Sequence, residues 1–102
     1  MQAATVICRT PTPGKSAKRI AKPRFDLVRR AVLRVIPKRG DGIAFADLAG
    51  LVAARLTPAE RRTLGSILWY VTTVKLELEV RGELERVAGD GPQHLRRRVD
   101  LR

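Results

Sequence analysis

Apolar positions in three segments of the chain recur at intervals of three and four residues, the spacing of one face of an α-helix. They predict helices over about 23–36, 45–55 and 66–81. Between the last two, Thr57-Pro-Ala-Glu60 has the sequence of a capping box and predicts a short helix that ends near Gly65. The apolar positions are Phe25, Val28, Val32, Val35 and Ile36, then Phe45, Leu48, Leu51, Val52 and Leu56, then Ile67, Val71, Val74 and Leu78.

Both ends of the chain have the pattern of short strands. Residues 5–10 are β-branched and precede the Pro11–Gly14 turn, and residues 16–21 are a weaker candidate for a returning strand. Near the other end, residues 84–88 and 94–99 flank a loop rich in glycine, which predicts a β-hairpin.

The order of these elements predicts the fold. A helix-turn-helix followed by a β-hairpin is typical of a winged helix, which belongs to the α+β class. We therefore expect three main helices, a C-terminal hairpin wing and an N-terminal strand-like arm. The expected division is a basic arm over 1–22, with its strands, and a winged-helix domain over 23–102.

The charge of the chain favours a polyanionic partner. Its 102 residues include 21 lysines and arginines against 10 aspartates and glutamates, a net charge of +11. Such an excess indicates nucleic acid first and an acidic membrane surface second. No apolar run approaches the ~18 residues of a membrane helix. Pro11 and Pro13 interrupt the helix that a transit peptide needs, so we expect a cytoplasmic protein with no membrane role.

The sequence has few residues of the types that bind metals or act in catalysis. One cysteine, Cys8, cannot form an internal disulfide, and with the single His94 it cannot build a zinc site. Gly14-Lys15-Ser16 resembles the end of a P-loop, but Arg9 stands where that motif has its first glycine. No nucleophile, base and orienting group are evident, so we expect no enzyme activity, no catalytic residue, no metal and no cofactor.

The run from Trp69 to Gly82, Trp-Tyr-Val-Thr-Thr-Val-Lys-Leu-Glu-Leu-Glu-Val-Arg-Gly, resembles a small bacterial winged-helix family of unknown function. Members of that family carry Trp-Trp-x-Lys-Thr-Val-Gln-Leu-Asp-Leu-Glu-Ala-Lys-Gly there. The resemblance extends to Thr12–Lys15, to the helix that contains Phe25 and to Ile43–Asp47. It implies a winged helix that binds DNA, with no established activity or catalytic residue. The leading hypothesis is a DNA-binding protein of the transcriptional-regulator type.

The sequence departs from that family at three places. Ala21 stands where an aspartate N-cap is expected before the first helix, and Leu68 where glycine is usual. Thr72 stands where a lysine is usual, which removes one candidate phosphate contact from the third main helix.

Candidate DNA contacts lie on the third main helix, the wing and the arm. If the stripe that starts at Ile67 packs inward, Ser66, Tyr70, Thr73 and Glu77 lie near the opposite side. The Ser66 and Thr73 hydroxyls and the Tyr70 phenol can hydrogen-bond to phosphates or base edges, whereas the Glu77 carboxylate would repel phosphate. The candidate DNA-binding residues are Lys15, Lys18, Arg19, Ser66, Tyr70, Thr73, Arg96 and Arg98. A solvated helix face and a solubilising basic tail are the alternatives.

For two further groups of arginines, on the wing and on the first helix, we expect different roles. On the wing, strand alternation places Arg97 away from Arg96 and Arg98, so its head should reach solvent or pair with an acid such as Glu85. On the first helix, four arginines continue the basic charge and suit nonspecific attraction to duplex DNA: Arg24, Arg29, Arg30 and Arg34.

The third main helix carries a second apolar stripe, Trp69, Leu76 and Val80. One stripe is enough to seat a helix, so the second must be covered by the N-terminal strands or by another chain, for example in a homodimer. The alternative function is therefore a protein-interaction or dimerisation module that uses the Trp69 surface and has no DNA role.

Overall fold

Short helices and strands follow one another along the chain in the order that the sequence predicts, apart from a two-residue strand at 43–44 that it did not predict. The computed structural model describes residues 4–89 and 91–99. The elements are β1 (Thr5–Cys8), β2 (Lys18–Ala21), α1 (Lys22–Val35), β3 (Ile43–Ala44), α2 (Phe45–Ala54), α3 (Pro58–Leu64), α4 (Ile67–Arg81), β4 (Leu84–Arg86) and β5 (His94–Arg97). The domain is thus α+β, with four helices and two small antiparallel sheets in the described residues.

The helices form where local chemistry favours them. At the start of α3, the Thr57 hydroxyl accepts from the Glu60 N–H and the Glu60 carboxylate accepts from the Thr57 N–H, so the predicted capping box is confirmed. The Ser66 hydroxyl caps α4 by accepting from the Trp69 N–H, and Gly82 ends that helix. Ala21 offers α1 no side-chain cap; instead the N–H of Lys22 donates to the carbonyl of Ala4. The arm thus supplies a bond at the helix start, where the cap is missing.

One buried cluster joins every layer of the molecule. Helix α1 packs across α4, α2 packs on both, and the inner faces of the two sheets close the ends. The cluster includes most of the predicted apolar positions and extends into the arm: Cys8, Ile20, Phe25, Val28, Ala31, Val32, Ile36, Leu48, Val52, Leu56, Leu64, Val71, Val74, Leu78, Leu84 and Leu95. The predicted positions Val35, Phe45 and Ile67 are only partly buried and pack against it. Two described residues of the N-terminal arm, Cys8 and Ile20, are therefore part of the core.

The two sheets differ in how they join the helices. In the first, β1 pairs with β2, and Val6 and Cys8 face inward together with Ile20. In the second, the strand order is β3-β5-β4, so the last strand lies between the two earlier ones. The Phe45 N–H at the start of α2 donates to the carbonyl of Gln93, which ties the helix to the hairpin.

Three expectations from the sequence need correction. Glu77, expected on the exposed side of the third main helix, is buried with 1% of its surface exposed. Leu51, expected on the core face of α2, is exposed. The hairpin strands are shorter than predicted, since β4 ends at Arg86 and β5 at Arg97.

Candidate functional site

A buried carboxylate fastens the arm to α4. The Arg9 side chain donates to Glu77 through Nε (3.0 Å to Oε1) and Nη2 (2.8 Å to Oε2), and the Arg9 backbone N–H donates to Oε1 at 2.8 Å. Arg81, one turn along α4, donates to Oε2 at 2.7 Å. Burial opposes ionisation of Glu77, but the hydrogen bonds from Arg9 and Arg81 outweigh it and lower the pKa to about 2. The carboxylate is therefore charged at neutral pH.

The turn of the arm is itself fixed by local bonds. The Thr10 hydroxyl accepts from the Thr12 N–H at 3.2 Å. Gly14 follows Pro13 and has a φ of +81°, which is the combination that a type II turn requires. Together with the Glu77 bonds, this turn holds Lys15 and Ser16 over the middle of α4.

A cavity of about 310 Å³ lies between the arm and α4. Cys8, Arg9, Thr10, Thr12, Lys15, Ser16, Lys18, Thr73 and Leu76 line it. Three residues that the sequence identified as candidate DNA contacts, Lys15, Lys18 and Thr73, meet at this one place. The third arm candidate, Arg19, does not join them: Lys18 pairs across the hairpin with Cys8, whereas Arg19 pairs with the exposed Ile7 on the outer face.

The floor of this cavity is apolar. Cys8 is 3% exposed. Burial, and to a lesser extent the nearby Glu77 carboxylate, raises the pKa of its thiol to about 11, so the sulfur is neutral at physiological pH. Cys8 therefore serves as a small buried hydrophobe. Leu76 lies beside it and is only half-buried, because the arm covers the helix here incompletely.

Farther along α4, a second buried charge joins the helix to the wing. Lys75 is 2% exposed, with Nζ 3.1 Å from Glu79 Oε1 and 4.8 Å from the centre of the Phe45 ring. Burial lowers the pKa of Lys75. Arg86 of β4 donates to both Glu79 oxygens, at 2.9 and 3.3 Å. Both carboxylate oxygens of Glu79 are therefore engaged within the protein.

The exposed start of α4 carries two large apolar side chains, which makes it more apolar than expected for a helix that reads DNA. Ser66 is exposed, but its hydroxyl accepts from the helix backbone. The Tyr70 hydroxyl accepts from Arg24 at 3.1 Å. Trp69 is 43% exposed and stacks edge-on against Tyr70, and Leu68 is 63% exposed. Val80, the last member of the second apolar stripe, is half-buried.

On the wing, two of the three arginines bond within the protein. Arg96, not Arg97, pairs with Glu85, because these two residues lie directly opposite each other in the β4–β5 register. Arg96 also donates to the carbonyl of Gly40. Arg97 donates to the carbonyl of Ile36 at 2.8 Å, which corrects the expectation that it pairs with Glu85. Arg98 is exposed.

A basic depression elsewhere on the molecule involves a residue that the sequence did not single out. Arg30 and Arg34 lie one turn apart on α1 and, with Arg55 at the end of α2, line a shallow cavity of about 170 Å³. Glu60 also lines it, but its carboxylate serves the capping box. The spacing of Arg30 and Arg34 follows from the sequence; the approach of Arg55 depends on how α1 and α2 pack.

Neither a metal-binding cluster nor a membrane-spanning helix is present within the described residues. No group of three or more histidines, cysteines or acidic residues in the described ranges is placed to hold a metal ion. Within those ranges, every helix is too short or too polar to cross a bilayer.

Comparison with known proteins gives one result. No curated protein and no solved structure matches this chain significantly. One family model matches residues 5–95, which is most of the chain, and its description is "Family of unknown function (DUF6958)". The chain therefore belongs to this family of unknown function.

Proposed function

We propose that this protein is a winged-helix domain that binds duplex DNA, as a transcriptional regulator does. The order of elements supports the proposal: α1, β3, α2, α3, α4 and then the β4–β5 hairpin, with β3 pairing to β5. A helix-turn-helix that leads into a hairpin beside a short third strand is the arrangement typical of winged helices. In such proteins the hairpin lies against the phosphate backbone.

The observation that carries the proposal is the way charges are distributed. The acidic residues of α4 and of the chain that follows it, Glu77, Glu79, Glu83 and Glu85, all form ion pairs within the domain. Many cations have no carboxylate within 4.0 Å among the described residues, including Lys15, Lys18, Arg19, Arg30, Arg34, Lys38, Arg39, Arg55, Arg62 and Arg98. A surface that keeps its cations unpaired attracts a polyanion.

This distribution favours backbone contacts over base reading. The unpaired cations lie on the arm, on α1 and the loop after it, around α3 and at Arg98, whereas the exposed start of α4 carries Leu68 and Trp69. Lysines and arginines that contact phosphates add affinity without sequence information. We therefore expect modest discrimination between DNA sequences and a strong dependence of affinity on salt.

The experiment is a fluorescence-anisotropy titration of labelled random-sequence DNA with the purified protein at several salt concentrations. Neutralisation of about six phosphates predicts a slope near −5 in a plot of log affinity against log salt for duplex DNA. Single-stranded DNA of equal length is the comparison and should give the shallower slope of a single strand. Absence of binding to duplex DNA at low salt, or a flat salt dependence, contradicts the proposal.

A second candidate function, docking of a protein partner or of a second copy, rests on the exposed apolar pair Leu68 and Trp69. Tryptophan is favoured at the centres of interfaces. The discriminating variant is Trp69→Ala, with Leu51→Ala as the matched control because Leu51 is an exposed apolar residue on α2. Sedimentation velocity measures self-association. If Trp69→Ala abolishes self-association and leaves DNA affinity unchanged, this surface is an interface; a monomeric wild type excludes the homodimer.

A further inference from the structure

We propose that the cavity between the arm and α4 binds a small organic anion that carries an apolar portion. The inference concerns a ligand site in its own right and does not depend on DNA binding. It rests on the shape of the cavity, on the residue types at its rim and floor, and on the rigidity of its walls.

The size of the cavity suits a small molecule. Its volume of about 310 Å³ lies at the lower end of the range of ligand sites, which is roughly 300–1,000 Å³. One wall is the strand β1 and its turn; the other is the middle of α4, at Thr73 and Leu76. The cavity is a cleft between two elements, a place where ligand sites commonly form.

The rim of the cavity favours an anion. Lys15 and Lys18 border it, and neither has a carboxylate within 4.0 Å among the described residues. The Glu77 carboxylate lies behind the wall, but its oxygens already accept from Arg9 and Arg81. The positive side chains at the rim are therefore available to a carboxylate or phosphate group, and the hydroxyls of Ser16 and Thr73 can donate to its oxygens.

The floor favours an apolar group. Leu76 is half-buried and the neutral thiol of Cys8 lies beside it, so this part of the cavity offers carbon and sulfur surface. An inorganic anion would leave that surface in water, and a neutral apolar molecule would leave the lysines unused. A molecule with both features satisfies both ends, for example a ring or short hydrocarbon that carries one acidic group.

The walls are held in place before any ligand arrives. Arg9 bonds to Glu77 through its side chain and its backbone, and the Thr10 hydroxyl bonds to Thr12, so the arm is fixed over α4 beside the cavity. A site that needs no rearrangement loses less of its binding free energy to ordering.

The test is a titration of the ¹⁵N-labelled full chain with three probes, followed in ¹H–¹⁵N NMR spectra. Benzoate has an acidic group and a ring, acetate has the acidic group alone, and benzyl alcohol has the ring alone. We expect benzoate to shift the amide signals of Ser16, Lys18 and Thr73, and to bind at least about tenfold more tightly than either comparison probe. Equal binding of all three probes, or shifts spread evenly over the arginine-rich surface, overturns the inference.

Variants on the two faces of the same hairpin give a matched pair. Lys18→Gln and Arg19→Gln remove the same charge from neighbouring positions, but only Lys18 borders the cavity. We expect Lys18→Gln to weaken benzoate binding about fivefold to tenfold and Arg19→Gln to leave it within about twofold. Both side chains are exposed, so both variants should keep the wild-type spectrum away from the arm. An equal loss in the two variants would assign the binding to overall charge and overturn the site.

A third variant tests the apolar end. Leu76→Ser removes the hydrocarbon surface of the floor while leaving both lysines in place. Benzoate should then bind no better than acetate. Benzoate binding at wild-type affinity in Leu76→Ser would show that the ring does not lie against this floor and would overturn the inference.

Discussion

The two hairpins of this domain are similar in sequence character but differ in how they are attached and in what their cations do. The arm, β1–β2, is fixed to α4 by the buried carboxylate of Glu77. Its cations Lys15, Lys18 and Arg19 have no carboxylate partner among the described residues. The wing, β4–β5, is fixed through backbone pairing with β3 and through the Arg86–Glu79 ion pair. Its arginines Arg86, Arg96 and Arg97 all bond to protein groups.

The difference teaches that the number of arginines in a segment does not measure its available charge. The wing has three consecutive arginines, yet Glu85 and the carbonyls of Gly40 and Ile36 occupy two of them. The arm has fewer, but its one paired arginine, Arg9, faces α4 and leaves the lysines at the turn unengaged. The available charge of a segment depends on where acids and unpaired carbonyls lie. A guanidinium that is bonded to an acid or a carbonyl is less available to a phosphate.

Breaking the attachment of the wing should give the largest effect. Gly42 lies before β3 with a φ of +75°, and a Cβ there would collide with the backbone carbonyl of Leu95 in β5. We expect Gly42→Ala to lower the free energy of unfolding by more than about 3 kcal/mol, since a backbone clash adds to the strain of the left-handed conformation. Urea denaturation followed by circular dichroism measures it.

Gly40→Ala is the control for this prediction. Gly40 has almost the same φ, +77°, but nothing lies within 4 Å of the position that an added Cβ would take. The cost of this substitution should therefore be the conformational strain alone, about 1 kcal/mol. Equal losses in the two variants would show that β3 does not approach β5 at Gly42.

Breaking the attachment of the arm should give the next largest effect. Glu77→Ala removes the acceptor of three Arg9 bonds and of Arg81, and it leaves a space in the wall of α4. We expect a loss of about 3 kcal/mol in the free energy of unfolding. Glu83→Gln is the comparison: Glu83 pairs with Arg29 nearer the surface, so its loss should stay below about 1 kcal/mol. A smaller loss for Glu77→Ala than for Glu83→Gln contradicts the anchoring role.

The pH dependence of stability should test the attachment of the arm through Glu77. The pKa of Glu77 is about 2 in the folded protein, below its ordinary value of 4.5. Its carboxylate therefore stabilises the fold fully above about pH 4.5, and this contribution is lost as the pH falls toward 2. Glu77→Gln, which cannot ionise, should be less stable than wild type at neutral pH, and the difference should shrink through this window. A difference that stays constant with pH would refute the ionic anchor.

The smallest effect concerns affinity for DNA. Lys15→Gln with Lys18→Gln removes two unpaired cations from the arm, whereas Arg96→Gln with Arg97→Gln removes two occupied ones from the wing. If the domain binds duplex DNA as proposed, the arm pair should reduce the magnitude of the salt slope by about 2 and the wing pair by less than about 1. A larger reduction of the salt slope in the wing pair than in the arm pair would place the phosphate contacts on the wing. Arg96→Glu with Arg98→Glu, which includes the exposed Arg98, should weaken DNA binding and leave the oligomeric state unchanged. Unchanged DNA binding in this variant would show that the wing is not the contact.

Local sequence chemistry was enough to predict most elements. The Thr57–Glu60 capping box, the Ser66 cap and the spacing of Phe25, Val28 and Val32 each act within one or two helical turns, so their structural outcome does not depend on distant residues. The Pro13-Gly14 turn and the hairpin near the C-terminus are local in the same sense.

The candidate site could be predicted only in part. Lys15, Lys18 and Thr73 were identified separately, but no sequence pattern indicates that a turn near residue 14 and the middle of α4 form one cavity. Likewise, Arg55 meets Arg30 and Arg34 only because α1 packs against the end of α2. The separation of Lys18 from Arg19 follows from strand alternation once β2 is known to be a strand.

By itself the sequence determined the helices, the turns, the inward apolar positions and the positive net charge, because periodicity, capping and composition act locally or over the whole chain. Only the tertiary structure decided which charges remain available. Glu77 lies on α4 where helical spacing predicts solvent, yet the arm packs over it and Arg9 bonds to it across 68 residues. A long-range ion pair of this kind depends on how two elements pack, so it cannot be predicted from residue spacing along either element.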